Sequence, residues 1–238
     1  MSLGLERAGG FTTTAFCEVD PDCRAVLSKH WPDVPLFDDI RELRGSAVGD
    51  ADVITAGFPC QDVSQAHSGG LGLDGEKSGL WAHVRRLIEE LEPRYVLIEN
   101  VANLRNRGLI AVLQDLWKIG YDAEWHCIPA TAVGLPHARD RIWILAYPAS
   151  LGVQECIADR CIPFAAPPEK PGFADGWVSE WLASRIRSRV VPLGHGLPGR
   201  LARIALKQYG NAVVPQIPEA LGRAILEYER SSHGTEQD

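Results

Sequence analysis

Asp52-Val53-Ile54-Thr55-Ala56, running into Gly57-Phe58-Pro59-Cys60-Gln61, decides the reading of this 238-residue chain. Valine, isoleucine and threonine in close succession predict a strand. The glycine and proline that follow stop it and hold a thiol in a tight turn. A second apolar strand is predicted at Tyr95-Val96-Leu97-Ile98, and it delivers Glu99-Asn100-Val101. Laid side by side in an open α/β sheet, the two strand ends aim Cys60 and Glu99 into one crevice, where such sheets bind ligands. A sulfur nucleophile facing a carboxyl suits attack on an electron-poor ring held by an acid.

Outward from that pair, strands and helices alternate as far as about residue 148. Thr12 to Glu18 reads as a strand. Asp20-Pro21 opens a helix that runs to about Trp31, with Asp20 as cap and Pro21 where a missing N–H costs nothing. Ser78 to Leu91 is amphipathic, with Leu80, Val84, Leu87, Ile88 and Leu91 on one face. Gly108 to Trp117 is helical, with Leu109, Val112, Leu113 and Leu116 in phase. Ala123–Ile128 and Arg141–Tyr147 are strands flanking a loop at 132–140. This order predicts an α/β fold with a mostly parallel sheet. From 149 the periodicity gives way to Pro, Gly and Ala, including Ala165-Ala-Pro-Pro-Glu-Lys-Pro-Gly172. Residues 149–180 therefore read as irregular, Leu201–Tyr209 and Pro215–Glu229 as helices, and Arg230–Asp238 as a frayed end. The division expected is 1–148 as a catalytic and ligand-binding domain, 149–199 as a small recognition region, and 200–238 as helices returning to the first domain.

Hydrophobic residues make up 45% and charged residues 23%, an ordinary soluble balance. No apolar run reaches membrane-spanning length and no secretory pattern stands at the N-terminus, so a cytoplasmic location is expected. Six cysteines are present and none forms a C-x-x-C pair, which gives no zinc signature and suits reduced thiols. The net charge of −7 argues against a nucleic-acid partner, but its distribution argues for one. No acidic residue falls between Glu180 and Glu219, a stretch that carries Arg185, Arg187, Arg189, Arg200, Arg203 and Lys207. Such a stripe is the electrostatic footprint of phosphate contact; a solvated face is the alternative.

Phe58-Pro59-Cys60-Gln61, Glu99-Asn100-Val101, Arg139-Asp140-Arg141 and Gly210-Asn211-Ala212-Val213-Val214-Pro215 stand in the order seen in DNA (cytosine-5) methyltransferases. From about Gly4 to Ile225 the chain resembles that family, and especially its shorter bacterial and phage members. The resemblance implies a Rossmann-like sheet that uses S-adenosylmethionine, with a small irregular recognition lobe. Cys60 matches the nucleophile. Its thiolate adds to C6 of cytosine, which makes C5 able to attack a methyl donor, and its surroundings should favour the ionised form. Glu99 matches the acid that holds N3 and the exocyclic amine. Arg141 is expected on the base carbonyl and Arg139 behind the catalytic loop, where forked donors suit both tasks. His137 stands where the family usually has Gln.

For the donor, the resemblance places Glu18 on the ribose hydroxyls and Val19 on the adenine face, where an aromatic is more usual. Asp39 and Ile40 fall at the adenine amine and ring, Phe58 and Pro59 below the donor, and Asn211 at its amino-acid end. The target base must be swung out of duplex DNA, so double-stranded DNA is the expected partner. Contacts to it are expected from Gln61, Ser64, Arg185, Arg187, Arg189 and Arg200, helped by Trp177, Trp181 and the turn at 194–199. No metal is implied. A monomer is expected, acting beside a cognate restriction endonuclease.

Met1 to Gly10 resembles the helix that follows the family's glycine-rich turn; the strand and turn before it have no counterpart in this sequence. In the family that strand is internal, so its two neighbours are expected to lack a partner between them. Two other functions fit the residues. One is a catalytically impaired remnant that binds DNA through the basic stripe. The other is a thiol hydrolase pairing Cys60 with His67, His83 or His137, although none has a spacing that signals a dyad.

Overall fold

A computed structural model describes residues 1–59, 79–135, 139–153, 156–158 and 212–233. Four strands form its main sheet: β3 (Val53–Gly57), β4 (Tyr95–Val101), β5 (Tyr121–Pro129) and β6 (Asp140–Pro148), in the order β3-β4-β6-β5. Two short strands, β1 (Phe16–Cys17) and β2 (Leu36–Phe37), pair parallel with each other as a separate sheet. Helices α1 (Ser2–Ala8), α2 (Pro21–His30), α3 (Gly45–Val48), α4 (Leu80–Leu91), α5 (Leu104–Arg107), α6 (Leu109–Lys118) and α7 (Gln216–His233), with 3-10 turns at Ala130–Val133 and Ala149–Leu151, complete the described elements.

β4 is the centre of the molecule. Tyr95 through Asn100 are all buried, which is why its sequence is a continuous apolar run rather than an alternation. Its even-numbered side chains, with Ile142, Ile144 and Ala146 of β6, pack against Trp81, Val84 and Ile88 of α4 and Leu109, Val112 and Leu116 of α6. Its odd-numbered side chains face the opposite layer. There Leu97 and Trp143 meet Leu5 of α1 and Ile217 and Leu221 of α7, and Tyr95 and Leu145 meet Ile225. Gly4 lets α1 lie this close to α7, since a Cβ at that position would stand 2.3 Å from the Pro215 carbonyl oxygen.

Two helix boundaries follow from local chemistry. Asp20 caps α2, accepting from the N–H groups of Asp22 (2.9 Å) and Cys23 (3.3 Å). Glu92 closes α4 in a left-handed conformation just before Pro93, where proline forbids another turn.

Several expectations are corrected. The main sheet is mixed: β3 and β4 run parallel, but β6 is antiparallel to both β4 and β5. The connection at residues 130–139 begins with a 3-10 turn at Ala130–Val133 and is too short for a helical crossover, so β6 must return antiparallel. The first strand spans only Phe16–Cys17, because its neighbour offers only Leu36 and Phe37 to pair with; Thr13 instead turns its hydroxyl to Glu6. Helix α7 continues past Arg230, with the Ser231 and Ser232 hydroxyls donating back to the Tyr228 carbonyl (2.8 and 2.7 Å).

The break between the two sheets falls where the sequence leads one to expect it. Among the described residues nothing pairs β1 to β3, and β3 remains only partly covered beside fully buried β4. Most of the expected recognition region at 149–199 and the expected helix Leu201–Tyr209 lie outside the described residues. No helix among the described residues is long and apolar enough to cross a membrane.

Candidate active site

Register brings the site together. β3 and β4 lie side by side in parallel, and Gly57 pairs with Glu99. The chain then turns through buried Phe58 and exposed Pro59, one residue short of Cys60. Phe58 is wedged against Trp81, ring centroids 5.2 Å apart. Its carbonyl accepts a 2.8 Å hydrogen bond from the Asn100 side-chain amide, a buried contact, while the Asn100 Oδ1 accepts from the Val101 N–H (2.9 Å). Because side chains alternate along a strand, Asn100 clamps the turn from one face of β4 and Glu99 projects from the other. Asn100→Ala would leave a buried carbonyl without its donor, and is expected to cost about 1–3 kcal/mol in denaturant-induced unfolding at unchanged m value.

The Glu99 carboxyl is nine-tenths buried. Arg141, paired with Val101 across the β4–β6 ladder, shares its face and sits diagonally from it. Its Nε donates to Glu99 Oε1 at 2.9 Å, and its Nη1 donates to the Asp140 carbonyl (2.9 Å). Burial pushes the Glu99 carboxyl above its usual range, and Arg141 and then Arg139 pull it back only in part. Arg139 is itself held below its ordinary value, by burial first and by neighbouring Arg141 second, with Glu99 opposing. The Arg139 carbonyl anchors the start of the 3-10 turn through the Ala130 N–H (3.1 Å). One partly dry corner thus gathers a carboxyl with a raised proton affinity and two guanidinium groups. Glu99 stands inside strand β4, not beyond its end as the sequence suggested.

Glu18, Val19, Asp39 and Ile40, the residues expected at the donor, lie at the carboxyl ends of β1 and β2. Glu18 follows β1; its N–H donates to the Phe37 carbonyl (3.0 Å), and its Oε1 accepts from the Asp20 N–H (2.8 Å). The Glu18 carboxylate is thereby held in place by the chain that follows it. Val19 beside it is 69% exposed. Asp39 lies just beyond β2. Arg41 grips its carboxylate through Nε (3.0 and 2.9 Å) and through its own N–H (2.9 Å), holding it down to about 2. Ile40 packs against the main core.

Two residues that sequence reasoning passed over build this loop. Arg86 of α4 donates to the carbonyls of Ile40 (2.9 Å) and Leu43 (2.7 Å). Glu90 accepts from Arg86 (2.7 Å) and from the Gly45 N–H (2.6 Å). Their i,i+4 spacing was the available signal. His83, one of the three histidines considered for a dyad, stands in this same neighbourhood of Asp39, Arg41 and Arg86. His67 and His137 lie outside the described residues, as do Cys60, Gln61, Ser64, Arg185, Arg187, Arg189, Arg200 and Asn211.

A strand end that sets a buried carboxyl beside two arginines, in register with the strand leading to Phe58 and Pro59, suits the family that the comparisons show. The chain belongs to the C-5 cytosine-specific DNA methylase family, whose model matches residues 1–174. It is 42% identical over 154 residues to the type II methyltransferase M2.BsuMI of Bacillus subtilis, covering 61% of this chain and 39% of that protein. It is 36% identical over 148 residues to the type II methyltransferase M.CviJI of Paramecium bursaria Chlorella virus IL3A, covering 61% and 40%. The Dnmt2 methyltransferase of S. pombe shares the fold with a TM-score of 0.53 at 18% identity, over 71% of this chain and 52% of that one. The match therefore spans about two fifths of the length of these curated relatives.

Proposed function

We propose that this chain transfers a methyl group from S-adenosylmethionine to C5 of a cytosine swung out of double-stranded DNA. The observation that carries the reading is Glu99: a buried carboxyl with raised proton affinity, bonded to Arg141 and in register with the strand that leads into Pro59-Cys60. A carboxyl of that kind can share its proton with N3 and accept from the exocyclic amine of cytosine. Arg141 supplies a forked donor for the base carbonyl, and Arg139 supports the corner electrostatically.

The Cys60 thiolate bonds to C6 while Glu99 places a proton on N3. C5, now enamine-like, takes the methyl group, and the donor's sulfonium leaves as a neutral thioether. A water then takes the C5 proton as the C6–S bond breaks, the thiolate is regenerated, and N3 returns its proton to Glu99, restoring the ring. The donor supplies an electrophilic methyl on a sulfonium. Glu18 and Val19 fit its ribose and adenine, and Phe58 and Pro59 fit below it. Asp39, which Arg41 already engages, is proposed at the adenine amine, with Ile40 at the ring. Asn211 is proposed at the amino-acid end, and Gln61, Ser64, Arg185, Arg187, Arg189 and Arg200 on the DNA. The division into a 1–148 domain, a 149–199 recognition region and 200–238 return helices, a monomeric state and a partner endonuclease belong to the same proposal, the last supported by the type II relatives.

The test is incorporation of labelled methyl from S-adenosylmethionine into duplex DNA, with 5-methylcytosine identified by mass after digestion. The reading predicts label on cytosine C5 and none with Cys60→Ser. DNA binding without donor binding or label would instead establish the impaired remnant.

A further inference from the structure

Away from that corner, three side chains of different chemistry converge on one point. Glu124 and His126 project from the same face of the outer strand β5, two residues apart. Cys156 arrives from the segment after β6 and packs against the layer formed by Leu97, Trp143 and α7. The His126 Nε2 stands 3.3 Å from the Cys156 sulfur and 3.9 Å from Glu124 Oε2. The Cys156 sulfur is in direct contact with the same Glu124 oxygen. All three ligand atoms lie within 4.8 Å of one another, and all three residues are half-buried.

A thiol, an imidazole and a carboxylate also make a nucleophile–base–orienter chain, so the arrangement must be told apart from a catalytic triad. In a triad the imidazole lies between its partners and uses one nitrogen for each. Here a single nitrogen, Nε2, faces both the sulfur and the carboxylate, and the sulfur touches the carboxylate directly. The three atoms point inward at a common centre. That is the geometry of ligands, not of a relay.

We propose that Glu124, His126 and Cys156 bind a thiophilic divalent cation, with Zn²⁺ the best match. Sulfur and imidazole nitrogen select zinc-like ions over Mg²⁺ and Ca²⁺, which take oxygen ligands. The supporting groups are in place: the Ile157 N–H donates to Glu124 Oε1 (3.1 Å), which fixes the carboxylate from behind. Among the described residues these three groups offer the ligand atoms, and a tetrahedral ion takes one more. The cation would pin residue 156, at the threshold of the 159–200 stretch, to the outer strand of the catalytic sheet. The site shares no residue with the Glu99 corner, so its role is to clip the chain in place. No cysteine spacing announced it, because the ligands come from two segments that only the fold unites.

The experiment is titration of the reduced, chelator-stripped full chain with Co²⁺, followed by competition with Zn²⁺. The expected result is one ion per chain, with a thiolate-to-cobalt charge-transfer band that Zn²⁺ removes and Mg²⁺ leaves alone. Cys156→Ser should lose the band. His126→Gln should weaken affinity by more than about 10–100-fold, the loss that removing a merely supporting group brings. Should Cys156→Ser fail to fold, His126→Gln carries the same reading. Absence of the band in the unmodified chain, or a band and affinity unchanged in the variants, overturns the proposal.

Discussion

Glu99→Gln is expected to lower the rate of methyl transfer by about 10²–10⁴-fold, the usual worth of a positioned general acid. Glutamine keeps the shape of the side chain and can still meet the exocyclic amine, but it has no proton to place on N3. The loss should therefore fall on kcat more than on KM. The same substitution should leave the fold intact and alter its pH dependence. An unburied glutamate titrates near 4.5, and in the native chain burial raises that value. Over the window from 4.5 upward to the native value, the folded state holds its proton longer than the unfolded state does. Stability must then fall as pH rises through that window. Thermal melts across it should show the fall in the unmodified chain and a flatter profile in Glu99→Gln.

Arg141→Ala is the complementary experiment, with the largest expected effect on stability. The Arg141 and Glu99 side chains are 20% and 11% exposed, so removing the guanidinium strands a buried carboxylate. At neutral pH the cost is on the order of 3 kcal/mol. Loss of Arg141 pushes the Glu99 carboxyl further up, and acid relieves it by protonation. The destabilisation should accordingly shrink below the usual carboxylate range, and it should shrink at neutral pH when Glu99→Gln is added. The measurement is a double-mutant cycle by chemical denaturation at the two pH values. Equal, additive losses at both would show that the pair does not couple.

The asymmetry between what the sequence disclosed and what it hid has physical causes. β4 announced itself because a strand buried on both faces has to be apolar throughout. Glu99 stood out because a charge at the end of such a run is costly unless it has a task. The Asp20 cap and the Pro93 stop were equally local in origin. The antiparallel return of β6 was not visible, since alternating helix and strand patterns do not record direction; only the short 130–139 connection forces it. The Arg41 grip on Asp39 was hidden for a related reason: it closes through a turn that composition does not encode. Asn100 was in plain view beside Glu99. Its clamp on the Phe58 carbonyl needs the neighbouring strand before it can be seen. The Glu124–His126–Cys156 cluster lay further still from legibility, because it depends on β5 being the outer strand with the chain after β6 folding back across it.

The central claim is that the sulfur of Cys60 and the carboxyl of Glu99 serve a single extruded pyrimidine. Duplex DNA carrying 5-fluorocytosine, incubated with the chain and S-adenosylmethionine, tests it most directly, because C5 cannot release fluorine after methylation and the adduct persists. The account predicts a protein–DNA adduct that survives denaturation, maps by peptide mass to Cys60, disappears in Cys60→Ser and forms far more slowly in Glu99→Gln. An adduct at another residue, or one that forms at full rate without the Glu99 carboxyl, would contradict it.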